Sequence, residues 1–287
     1  MTADFGVGAG VEPKSIVLFG QDRRSYLGAI AADVNRLSLA ARESLYNIRS
    51  HTELPRSVAW PLVMIYYASL FSAQMLLRVW GDAPSYLRTE ELLHLRRVGA
   101  AYGVLAVGHY NTGQYMIGDN AVSGQIDFRP INGAGSHEAV WRALDIRMSS
   151  ITSLIAGSGS LTSQDKIDAS KDVAHLVKMV TKAGAGAKWL STFRNDLQYR
   201  QAYGAWFPYR DGRMTVERIV DRVRDVVSGA VDIEQFEYRS ADDITAFSES
   251  CLALICATRM TLVDMYERNP AGSFLRFGYR RLEATLG

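Results

Sequence analysis

The stretch SVAWPLVMIYYASLFSAQMLL, residues 57–77, runs between Arg56 and Arg78 for 21 residues without a charge. That length matches a membrane span. Ser57, Ser69, Ser72, Gln74, two tyrosines and an early Pro61 interrupt the apolar run, however. It reads as a core helix, apolar all round and buried by neighbours rather than by lipid. The helix is expected from about Ser57 to Trp80, with Pro61 tolerated in its first turn and Gly81 as its stop.

Helical spacing continues on both sides. Upstream, Tyr26, Leu27, Ile30, Val34, Leu37 and Leu45 predict a helix from Arg23 to about Ser50. Downstream, helices are expected at about Thr89–Val107, Ser136–Ala156, Ser163–Lys182, Lys188–Tyr203, Thr215–Ser228 and Ala241–Glu267. Residues 108–135 change character, with Gly, Asn and the alternating runs GQYMIG and GQIDFRP, and predict a small β-hairpin insertion. Residues 1–21 read as a flexible or extended leader in which only Ser15–Phe19 has strand character. GVGAGV at 6–11 lacks the preceding strand that a nucleotide turn needs. The fold class expected is all-α: a helical domain over 22–212 with an insertion at about 108–135, and a C-terminal helical extension over 213–287 packed on it.

With 287 residues, 48% hydrophobic and 22% charged, the chain has enough apolar side chains for a sizeable core, which excludes a disordered or disulfide-stapled class. A net charge of +2 builds no strong field for nucleic acid. Of the 32 basic residues 26 are Arg, whose fork matches phosphate and carboxylate, although genomic base composition gives the same excess. Cys251 and Cys256 lie five apart in a helical run and face different sides, so they fit a reducing cytosol. With no secretory signal evident, a cytoplasmic protein without membrane attachment is expected. GxxxxGK[ST], HExxH, GxSxG and metal-spaced cysteine pairs are missing. The histidines at 51, 94, 109, 137 and 175 never fall at i, i+3 or i+4, so no metal and no cofactor is expected.

The segment that carries chemistry is Phe193-Arg194-Asn195-Asp196-Leu197-Gln198-Tyr199-Arg200-Gln201. On a helix Arg194 and Gln198 share a face, as do Asn195 and Tyr199, with Arg200 expected near the same side. Guanidinium, amide and phenol donors together suit a phosphate or an RNA backbone. The competing reading pairs Arg194 with Asp196, Asp172 or another acid and packs Tyr199 into a helix interface. Farther on, Tyr203 and Arg210 belong to an aromatic and basic run, 199–210, that either stacks bases or docks its rings into the core before a turn.

Two motifs together resemble the HEPN superfamily of small all-α modules. Residues 65–77, IYYASLFSAQMLL, are similar to the family's core helix, and Phe193-Arg194-Asn195-x-Leu197 resembles its later Arg-Asn-x-x-x-His signature. The resemblance covers about residues 25–205. It implies a metal-independent ribonuclease site paired across a dimer, with Arg on the phosphate and His moving the 2′-OH proton. It also implies a setting in prokaryotic toxin–antitoxin or antiviral defence systems, where other members act only as binding or dimerisation modules. Here Tyr199 stands where the family has His. A phenol titrates near ~10 against about 6.5 for imidazole, so cleavage loses its proton carrier.

The expectation is therefore an RNA- or nucleotide-phosphate-associating protein, a degenerate ribonuclease with Arg194, Asn195 and Tyr199 at its centre and Arg200, Tyr203 and Arg210 on the RNA. A homodimer or a partner protein is expected with it. The alternative is a non-catalytic scaffold or interaction subunit, and a third reading brings His94 or His175 to the site as a replacement base.

Overall fold

In a computed structural model, the chargeless stretch forms α2 (Ala59–Val79), the central helix of a bundle. Pro61 lies in its first turn, where its missing N–H leaves no bond unmade, and Gly81 follows its end at φ 89°. Leu62, Ile65, Tyr66, Ala68, Ala73 and Leu77 on α2 are all fully buried. Around α2 pack α1 (Arg23–Arg49), α4 (Ser136–Gly157), α6 (Lys188–Tyr199) and α8 (Asp243–Arg268); α5 (Ser163–Val180) lies on α4 and α8, and α7 (Val216–Ser228) on α1 and α8. The structure describes residues 5–10, 14–49, 57–103, 111–120, 123–132, 135–182, 184, 186–206, 215–237 and 242–281.

Both α2 and α8 are long and apolar enough to cross a membrane, yet 72% and 67% of their apolar windows are buried within the protein. Each is therefore a core helix of this bundle. Because α8 packs directly on α2, the C-terminal helices share the main core.

The mostly helical reading holds, and the small hairpin is corrected to a five-stranded antiparallel sheet. Its strands are β1 (Gly6–Ala9), β2 (Ile16–Phe19), β3 (Asp82–Leu87), β4 (Gly113–Asn120) and β5 (Gln125–Pro130), in the order β1-β2-β5-β4-β3. The expected hairpin is β4–β5, with Ile117 opposite Phe128, but it forms the middle of the sheet rather than a free insertion. Residues 6–9 and 16–19 of the expected leader pair as Val7 with Leu18, and Ile16 then pairs with Phe128. Residues 82–87, unassigned between two helices in the sequence, complete the sheet by pairing Ser85 with Tyr115.

Alternation explains the placement, since successive side chains of a strand point to opposite faces. Val7, Ile16, Tyr115, Ile126 and Phe128 close a second apolar cluster with Leu92, Leu95 and Val98 of α3 (Thr89–Ala101). The other face carries Met116 opposite Arg129 and looks towards α4. Helix α3 ends at Ala101 rather than Val107, and residues 104–110 lie outside the described residues.

Candidate phosphate site

The site is built on α6. Its buried residues Leu190, Phe193, Arg194 and Leu197 recur at i, i+3, i+4 and i+7, with Ser191 beside them, so Arg194 is the one charged residue on the side that meets the bundle. Arg194 is consequently 6% exposed, not open to solvent as expected for an anion-binding residue. Neither is it paired with an acid as the competing reading requires. Among the described residues its guanidinium has no carboxylate partner. Asp196, the nearest expected acid, instead pairs with Arg200 at 2.9 Å.

What surrounds Arg194 is neutral. Its Nη2 donates to the Tyr67 hydroxyl and its Nη1 to Asn195 Oδ1 at 2.8 Å. The guanidinium carbon lies 5.1, 5.3 and 5.8 Å from the ring centres of Tyr67, Tyr66 and Tyr199. Such cation–π contacts offset part of the lost hydration. Its Nε is buried with no hydrogen-bond partner among the described residues.

A residue that the sequence spacing did not single out completes the cluster. His137, in the first turn of α4, has its Nδ1 3.5 Å from Arg194 Nη2 and 3.1 Å from the Tyr66 hydroxyl. Trp141 Nε1 donates to the same hydroxyl at 3.1 Å. Since arginine only donates, its approach to Nδ1 makes that nitrogen the acceptor and assigns the ring proton to Nε2. Burial, and then the Arg194 charge, hold His137 below the ordinary imidazole range. Burial likewise pushes Tyr66 far up, so its phenol keeps its proton at any working pH.

The remaining expected residues divide. Asn195 and Tyr199 join Arg194, and both are exposed, Tyr199 at 70%. Arg200 does not join: six residues turn a helix through about one and two-thirds turns, leaving it about a third of a turn away. It is solvated and held by Asp196. Tyr203 is not on the α6 helix, which ends at Tyr199; Gln201 at φ 52° and Tyr203 at φ 67° reverse the chain. Its ring stacks on Phe193 at 4.0 Å, and Phe193 stacks on Phe247 at 4.3 Å, so Tyr203 forms an outer layer on the core. Trp206 behaves alike, its Nε1 donating to the Leu197 carbonyl at 2.7 Å. Arg210, His51 and His109 lie outside the described residues.

Neither replacement base reaches the site. His94 packs edge-on against Phe5 beside the sheet, and His175 lies on α5 within the electrostatic reach of Asp172 and Glu234. Cys251 and Cys256 are buried free thiols, and burial pushes Cys251 up to about 12 and Cys256 to about 11, so both stay protonated. Comparison of the chain with protein-family models, with curated proteins and with solved structures returns no match, so its likeness to the HEPN signature rests on residues 65–77 and 193–197 alone.

Proposed function

We propose that the chain is a HEPN-like protein that associates with RNA or nucleotide phosphate, in the cytoplasm and without membrane attachment, with Arg194 receiving the phosphate. The carrying observation is a guanidinium at a core position of an apolar helix stripe with no carboxylate among the described residues. A buried cation without a counter-ion opposes folding. A position that breaks an otherwise consistent pattern belongs to function more often than to packing. An arriving phosphate supplies the missing charge, and Arg meets it in a two-pronged, charge-assisted geometry.

Access runs through the exposed pair. Asn195 holds Nη1 by its side-chain oxygen, and that single bond is what a phosphate oxygen replaces. Tyr199 flanks the guanidinium as a solvent-exposed ring, and His137 adds the N–H on Nε2. This donor set binds. Cleavage is not part of the reading, because the His137 lone pair is already engaged at Nδ1 and a phenol is a weak base at neutral pH. The prokaryotic defence or toxin-type setting, and a homodimer or complex subunit, follow from the HEPN resemblance.

The test is fluorescence anisotropy with a labelled single-stranded RNA in EDTA, followed by a denaturing gel. The wild-type chain binds without producing cleavage products, and Arg194→Met binds at least tenfold more weakly. Equal affinity of the two proteins overturns the proposal, and metal-free cleavage by the wild type overturns its non-cleaving part. One observation favours the scaffold reading: Arg194 has three tyrosine rings around it and little exposure. Under that reading Arg194→Met loses stability and leaves RNA affinity unchanged.

A further inference from the structure

On the far side of α4 from the buried Tyr66–Trp141 contact, an open cleft of about 510 Å³ separates the helix from the sheet. That is within the range of small-molecule sites. Its polar wall holds Arg129 from β5 and Arg142 and Arg147 from α4, against one carboxylate, Asp82 of β3. Asp82 is shared: Oδ1 accepts from Arg129 Nη2 at 3.1 Å, and Oδ2 lies 3.4 Å from Arg147 Nε. Arg142 uses its Nη2 on Glu138 at 3.2 Å, and Glu138 also meets Lys188 at 3.1 Å. Three guanidiniums thus line a space with one acid, leaving a local excess of two positive charges.

The two arginines at the rim are available. Arg129 and Arg142 keep 44% of their side chains exposed, and each engages a carboxylate through one terminal nitrogen. A guanidinium carries five N–H donors, so most of each fork faces no protein acceptor among the described residues. Arg147 is fixed by Nη2 donating to the Trp80 carbonyl, which anchors the inner end of the cationic wall. Beside the charges the lining turns apolar at Met116, Ile131 and Ile146, and Ile146 is 65% exposed. A ligand that satisfies both walls has a doubly charged anionic end and a compact apolar or planar body.

We propose that this cleft is a binding site for an organic phosphate of nucleotide size, with the phosphates on Arg129 and Arg142 and the body against Ile131 and Ile146. It is separate from the Arg194 site, since none of the Arg194 contacts lines it. Calorimetric titration of the full chain with ADP and with inorganic pyrophosphate tests it. In the Arg194→Met background both are expected to bind at one site per chain, ADP at least fivefold more tightly because only ADP uses the apolar lining. Arg142→Ala weakens both at least tenfold, and Ile146→Glu, which puts a carboxylate at the rim, does the same. Both positions are exposed, so these variants keep the fold. Arg194→Met, which silences the other phosphate site, keeps the cleft binding of ADP. Absence of heat with both probes at millimolar concentration overturns the proposal, as does binding that survives both cleft substitutions. Binding lost only in Arg194→Met also overturns it, and assigns the anion to the other site instead.

Discussion

Arg194 of α6 and Tyr67 of α2 meet inside the bundle: the guanidinium Nη2 donates to the phenol oxygen while its carbon stands 5.1 Å from the ring centre. The pair joins the two segments that carry the HEPN resemblance, which lie 127 positions apart in the chain. It also leaves a cation indoors with only neutral partners among the described residues.

The first expectation concerns stability. Replacing a buried charged group by an apolar one of similar length is often neutral or stabilising. Arg194→Met is therefore expected to hold or raise stability, by about 1 kcal/mol, while RNA affinity falls. Urea denaturation checks the first half. A loss above about 2 kcal/mol, of the size that follows breaking a buried network, assigns Arg194 to the fold.

His137 provides a pH signature. Its folded-state value lies below the ordinary one, chiefly through burial and secondly through Arg194. The unfolded chain then binds the proton more readily, so stability is lost as pH falls from about 6.5 towards the folded value and is unaffected above. In His137→Gln this part of the acid dependence disappears. NMR titration of the ring is expected to show an upward but partial move in Arg194→Met, because burial remains. A bound phosphate favours the charged ring, so wild-type RNA affinity is expected to rise as pH falls into the range where His137 takes up its proton. His137→Gln flattens that rise.

Tyr66→Phe removes one oxygen that serves two partners, Trp141 Nε1 and His137 Nδ1, both at 3.1 Å. Leaving the Trp141 donor unmet in the core costs about 1–3 kcal/mol. Thermal unfolding measures it.

The N-terminal strands are load-sharing parts of the sheet. Ile16 is fully buried between β1 and β5, so Ile16→Ala is expected to destabilise by about 2–5 kcal/mol. An unfolding midpoint unchanged from wild type would return residues 1–21 to the status of a leader.

The eight α-helices among the described residues were legible in the sequence, because each has an apolar stripe or run bounded by a turn or a breaker. The sheet was not. DAPSYL at 82–87 contains a proline and sits between two strong helices, and GVGA at 6–9 has only one large apolar side chain. Both become strands because β4 and β2 offer them backbone partners, which no local pattern records. Burial of Arg194 was readable in principle from the spacing Leu190, Phe193, Arg194, Leu197. His137 was not, because 57 positions separate it from Arg194 and only the packing of α4 on α6 brings them together.

The most direct measurement follows the Nε–H cross-peak of Arg194 in protein labelled with 15N-arginine, assigned by its loss in Arg194→Met, during titration with single-stranded RNA. That N–H is buried and without a partner among the described residues, so a phosphate oxygen arriving at the guanidinium shifts it strongly and saturably. A cross-peak that stays in place while RNA saturates the protein contradicts the account, and so does a chain that takes up no RNA at all.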